Sequence, residues 1–228
     1  MCRGKDKCTF LEADSAKWSK LSPLPIPDFF EIAVDKFSQS VAALVNDARA
    51  QALIALEETN YRAVGEFFIE HGQQSAYYRV QNRNEVDAIN RLTKGDNDSP
   101  RLIPSTEKKV FERDCFRCRY CGLRIIAKEV FAEYSRIVGS ENFSIERENS
   151  KRNGLTLGLR GVADHVEPYA SGGETSLENL VTSCYSCNFG KAGYTLEQLG
   201  IEDPRLRPPV KDDWLGLTEF LPSLRSIE

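Results

Sequence analysis

The chain has 228 residues, 41% of them hydrophobic and 28% charged, with a formal net charge of −4. That length gives room for a real core in one large or two small domains, and the composition is that of a globular chain. No apolar run approaches the roughly 20 residues of a membrane span, and the opening MCRGKDKCTFLEAD lacks the apolar stretch of a secretory signal, so a cytoplasmic, reducing setting without membrane contact is expected.

Residues 1–27 read as an arm, because Pro23, Pro25 and Pro27 favour extended backbone. Asp28 then reads as a helix N-cap with Glu31 in capping-box position. Phe30, Val34, Phe37, Val41, Leu44 and Ala48 follow in steps of three and four, tracing one face of a long helix. A second helix is expected over Tyr61 to His71, closed by Gly72, and a third over Asn84 to Leu92. KGDNDSP (94–100) reads as a loop. Residues 28–100 are therefore expected to form a helical scaffold or docking region. The segment 28–93 would either stabilise the rest of the chain or bind a partner chain or a second copy. His71, at a helix end, reads as structural.

The charge is uneven. Residues 1–100 carry 12 Lys/Arg against 15 Asp/Glu, whereas residues 101–128 carry 8 against 3, a local net of +5. Lys108, Lys109, Arg113, Arg117, Arg119 and Arg124 are thus candidates for contacting a nucleic-acid backbone, against the plainer reading of a solvated charged face. Lys108 to Asp114 and residues 127–138 read as helices, and the polar stretch 139–153 as an insertion or mobile loop. Leu155 to Val166 and Asn179 to Thr182 read as strands, and Cys184 to Lys191 as a helix. The Pro-rich tail, 201–228, is expected to pack Trp214, Leu217, Phe220 and Leu221 onto the body.

Of seven cysteines, four form two C-x-x-C pairs, Cys118/Cys121 and Cys184/Cys187. In a reducing setting that spacing favours a metal over disulfides, and two such turns brought together make a closed tetrahedral zinc site with a structural role. Cys115 is left out of the ligand set, and Cys2 and Cys8 read as incidental thiols. Between and beside the pairs lie Asp164-His165, Asn179, Asn188 and Lys191.

Taken with Pro168, Gly172-Gly173 and Asn179-Leu180, the run GVADHVEPYASGGETSLENLVTSCYSCNFGK resembles the HNH endonuclease family over roughly 105–200. The resemblance implies a small zinc-stapled ββα-metal nuclease domain over 101–200, which together with the helical region read ahead of it makes an α+β chain. It implies that His165 is the general base, that Asp164 and Asn188 hold a catalytic Mg²⁺ or Mn²⁺, that Asn179 fixes the loop aiming His165, and that Lys191 contacts phosphate. Asn188 stands where some members have His, and the long gap between Cys121 and Asp164 marks an insertion. The chemistry suits those residue types: a neutral imidazole activates water, and oxygen ligands suit a hard cation. The expected function is hydrolysis of phosphodiester bonds in nucleic acid, DNA in preference to RNA, in a homodimer or as the nuclease subunit of an antiviral or restriction system beside a partner such as an ATPase. The alternatives are an RNA-cutting nuclease and a non-catalytic zinc-stabilised binding module.

Overall fold

The computed structural model describes residues 11, 14–82 and 104–227. The expected helix over 84–92, the 94–100 loop, Cys2 and Cys8 lie outside these residues. The architecture is α+β, with a helical N-terminal half and one two-stranded sheet in the C-terminal half. The elements run α1 (Phe29–Val45), α2 (Arg49–Glu57), α3 (Tyr61–Asn82), α4 (Pro104–Arg113), α5 (Lys128–Val138), α6 (Gly154–Gly158), β1 (Gly161–His165), β2 (Leu180–Cys184), α7 (Tyr185–Lys191), α8 (Leu196–Leu199) and α9 (Leu221–Ser226). No helix among the described residues is long and apolar enough to cross a membrane.

The apolar stripe of α1 is buried at Phe30, Val34, Phe37, Val41 and Leu44. Ala48 lies beyond the helix, which stops at Asn46 and Asp47, the latter with φ of 57°. The chain then turns into α2, a helix that the sequence reading passed over because its amphipathic pattern is faint. The expected capping box at Asp28 does not form, since Asp28 makes no side-chain cap bond. Glu31 instead accepts from the Arg124 backbone N–H at 3.1 Å and from its guanidinium at 2.7 Å, joining α1 to the segment before α5. Gly72 does not end the second helix either. It kinks α3 with ψ of −112°, and the helix continues to Asn82.

One core runs through both halves of the chain. Phe37 of α1 packs on Phe131 and Tyr134 of α5 and on Phe143, with ring centroids 4.9–5.7 Å apart. Residues 139–153 are therefore not a loose insertion. Phe143 is fully buried, and Ser135 Oγ donates to its carbonyl at 2.6 Å. The expected strand over 155–166 is split: Asn153 caps α6 by accepting from Leu155 N–H, and extended pairing begins only at Gly161. Helices α3 and α6 cross so closely that a Cβ on Gly154 would lie 1.8 Å from the Tyr61 carbonyl oxygen, so only glycine fits there. The N-terminal segment is tied down by Arg79, 1% exposed, which donates to the carbonyls of Ser19, Ser22 and Leu199. Leu217 is buried in the same core, and Trp214, Phe220 and Leu221 pack against it.

Phe143→Ala should destabilise the chain by about 3–5 kcal/mol, the usual cost of emptying an aromatic site in a core. Urea unfolding checks this; a loss below about 1 kcal/mol would mean that the ring does not anchor the 139–153 segment.

Candidate active site

The site is built on a strand pair and one helix. β1 and β2 run antiparallel with Asp164 opposite Val181 and His165 opposite Leu180, and β2 leads directly into α7. The order strand, strand, helix is thus the ββα unit.

Two tight turns bring the cysteine pairs together. After α4 the chain reverses through Cys115 and Phe116, both with left-handed φ near 50°. Cys118 N–H then donates to the Leu123 carbonyl and Gly122 N–H to the Cys118 carbonyl, with Gly122 at φ +82°. On the other side, Cys184 caps α7 by accepting from Cys187 N–H at 3.3 Å. All four sulfurs lie within 4.8 Å of one another, and Cys121 Sγ is 3.8 Å from Cys184 Sγ. A tetrahedral thiolate site with bonds of about 2.3 Å has edges of about 3.8 Å, whereas a disulfide needs about 2.05 Å. The four are therefore placed to hold a metal ion; Cys115 is not among them.

The turn between Cys118 and Cys121 also reaches into the polar site. Tyr120, buried within that turn, donates its hydroxyl to Asp164 Oδ2 at 2.6 Å. Asp164 is 6% exposed, and Lys191 Nζ stands 3.4–3.5 Å from its two oxygens. Burial raises the Asp164 pKa, with Lys191 and Tyr120 pulling the other way. Lys191 itself is 1% exposed and donates to the His165 carbonyl at 2.8 Å. That placement corrects the expected phosphate contact: an ammonium sealed inside the fold holds the backbone of His165 and balances Asp164, out of reach of a strand in solvent. Asn188 is half-buried one turn before Lys191, on the same side of α7. A carboxylate has about four lone-pair sites. Tyr120 takes one and Lys191 Nζ approaches both oxygens at 3.4–3.5 Å, so the carboxylate keeps acceptor capacity of the kind a hard cation takes, and the Asn188 amide oxygen is a donor of the same type.

His165 is half-buried at the end of β1, and its Nε2 lies 2.9 Å from Thr175 Oγ1. Burial lowers the ring's pKa, favouring neutral imidazole, although Asp164 opposes the shift. The loop carrying Thr175 is clamped by Asn179. Its Oδ1 accepts from Glu167 N–H at 2.9 Å, and its Nδ2 donates to the carbonyls of Glu167 at 3.0 Å and Glu174 at 2.9 Å. A Cβ on Gly173 would sit 1.9 Å from the Glu167 carbonyl oxygen, so the clamp requires that glycine. His71 lies elsewhere, buried against Phe67 with its pKa lowered by burial.

The basic stretch is not gathered into one free face. Arg113 and Arg119 both pair with Asp114, which is fully buried and also accepts from Thr182 N–H at 2.8 Å. These contacts hold the Asp114 carboxyl below the usual carboxylate range even though burial pushes the other way. Arg117 pairs with Asp212, and Arg124 with Glu31 and Asp35. Lys108, Lys109 and Arg113, all on α4, are the exposed ones among the six, and Lys108 is 3.5 Å from Glu112. Of the four arginines expected to track a phosphate backbone, Arg117, Arg119 and Arg124 are instead partly buried struts, and the exposed Arg113 commits its guanidinium to Asp114 and to the carbonyls of Leu177 and Leu180. Sequence reasoning missed Tyr120, Thr175 and Asp114. Each acts through a contact with residues far along the chain, and no local pattern marks it.

Residues 160–192 match the family model described as HNH endonuclease. The matched span contains Asp164, His165, Asn179, Asn188, Lys191 and the second cysteine pair, but not the first. No curated protein and no solved structure matches the chain.

If the four thiols share one ion, the purified chain should carry a metal that Cys184→Ser loses, together with its cooperative melt. Elemental analysis and thermal unfolding read both; a variant that melts like the parent would show that the cysteines do not staple the fold.

Proposed function

We propose that the chain is a metal-dependent endonuclease that hydrolyses phosphodiester bonds in nucleic acid, DNA in preference to RNA, with His165 as the general base. The observation that carries this reading is the ββα corner. There β1 ends in Asp164 and His165, α7 presents Asn188, and the family match falls on all three. In this reading Cys118, Cys121, Cys184 and Cys187 hold zinc in a closed structural site.

The chain's own groups account for the positioning. With Thr175 Oγ1 accepting from Nε2–H, the imidazole keeps its lone pair on Nδ1, where it takes the proton of an attacking water. Asn179 holds the Glu167–Glu174 loop closed and so fixes Thr175, which in turn fixes the ring plane. Lys191 anchors the His165 carbonyl, setting the end of β1. Asp164 and Asn188 would hold Mg²⁺ or Mn²⁺, and such a cation, when bound, supplies charge neutralisation for the phosphorane-like transition state. The inward packing of α1 and α3 supports a scaffold role for that part of the helical half rather than a docking face. One active site cuts one strand, so breaking a duplex takes two events or a second copy.

One observation favours the competing reading of a non-catalytic zinc-stabilised binding module: the Lys191 ammonium already occupies the neighbourhood of Asp164. Plasmid nicking separates the two. With Mg²⁺ or Mn²⁺ the parent should open supercoiled plasmid, and His165→Ala should slow this by about 10²–10⁴-fold, the worth of a positioned general base. Parent and variant behaving alike would leave the binding module standing. Asn188→Ala should lower cleavage most at limiting metal while leaving the melt unchanged; full activity at limiting metal would remove Asn188 from the ligand set.

A further inference from the structure

A cavity of about 130 Å³ opens beside α5 and α6, with none of the four clustered cysteines in its lining; Lys128, Arg152 and Arg160 stand over an apolar floor that includes Phe131 and Ile145. No carboxylate lines it among the described residues; Glu107 pairs with Lys128 from outside the lining. Arg160 forms no ion pair among the described residues, and its buried Nε has no hydrogen-bond partner. Its guanidinium lies over the Tyr185 ring, 5.5 Å from the centroid. Arg152 is anchored through Nε to the Glu146 carbonyl at 2.6 Å, which leaves its terminal nitrogens uncommitted. The backbone beneath is rigid: Arg160 bridges to Ile126, and its carbonyl accepts from Tyr185 N–H at 2.9 Å. Two guanidinium groups around one small hollow, one with a buried donor that no described residue satisfies, make a site suited to an anion. Guanidinium forks match phosphate geometry, which a point-charge ammonium does not.

We infer that this hollow is a phosphate-binding subsite, taking a backbone phosphate of a nucleic-acid strand away from the scissile bond. The identity of the ligand rests on the nuclease reading; the receptor itself rests on Arg152 and Arg160. Arg160 immediately precedes β1, whose far end carries His165. Five extended residues span about 17 Å, or about five base steps of duplex at 3.4 Å each. That length of chain separates the subsite from His165 by several nucleotides of a bound strand. The subsite adds to the backbone grip, which Arg117, Arg119 and Arg124 are too engaged to give.

The test is binding rather than cleavage, in the full chain carrying His165→Ala, with a short fluorescein-labelled duplex and its single strand titrated by anisotropy over a salt series. Arg160→Gln and Arg152→Gln should each weaken binding by about five- to ten-fold and flatten the log–log salt slope by about one. Arg160→Lys should recover only part of the affinity, and Lys36→Gln, remote on α1, none should be lost. Should Arg160→Gln fail to fold, the half-exposed Arg152→Gln carries the test. A parent that binds while both Gln variants match it in affinity and slope overturns the subsite alone. A parent that binds neither probe overturns the nuclease reading and the subsite together.

Discussion

Four sulfurs confined to one coordination sphere are the constraint on which the site depends. Once Cys118 and Cys121 face Cys184 and Cys187, the turn 118–121 cannot drift from the start of α7. Arg119 N–H then meets the Thr182 carbonyl at 2.8 Å, and Tyr120 lands on Asp164. Asn188, next in the chain after the last cysteine, is placed by the same closure. Slack at the sulfurs would be felt at Asp164, because Tyr120 sits in the turn between Cys118 and Cys121.

Buried charge is the second organising force. Taking a carboxylate out of water is costly unless it is paired and hydrogen-bonded. Asp114 meets that demand with two arginines and the Thr182 N–H, and in doing so ties α4, the first cysteine turn and β2 into one block. Asp164 meets it with Tyr120 and Lys191. Removing one partner from either group would strand the others inside the fold. That explains why a run with a local charge of +5 presents less free positive surface than its count suggests: its arginines neutralise Asp114, just past α4, and acids contributed by α1 and the tail.

How much of this was legible in the sequence follows from which signals are local. The cysteine spacing, the Asp164-His165 pair and the turn from β2 into α7 are written in adjacent residues, and the four sulfurs and the strand–strand–helix order could be read directly. The apolar face of α1 was equally plain. What could not be read depends on partners distant in the chain. Glu31 has the spacing of a capping residue but bonds Arg124, 93 positions away. Gly72 has the look of a terminator, yet α3 continues through it as a kink. The stretch 139–153 is polar except at Phe143 and Ile145, and it is the buried Phe143 that decides its fate. The basic run was misjudged for the same reason, since ion pairs over such separations leave no periodicity.

The crossing of α3 and α6 at Gly154, and the stacking of Phe68 on Tyr185 of α7 with Phe189 edge-on to it, mean that the helical half is a wall of the ββα unit rather than a neighbour to it. Its matched segment is consequently not a portable cassette. Grafted elsewhere, it would bare two aromatic rings of α7 and the glycine seam beside them, and any recipient scaffold would have to bring its own Phe68 and its own close-approaching helix. The insertion between the first cysteine pair and β1, and the helices ahead of α4, have thus become mutually indispensable parts of one shell.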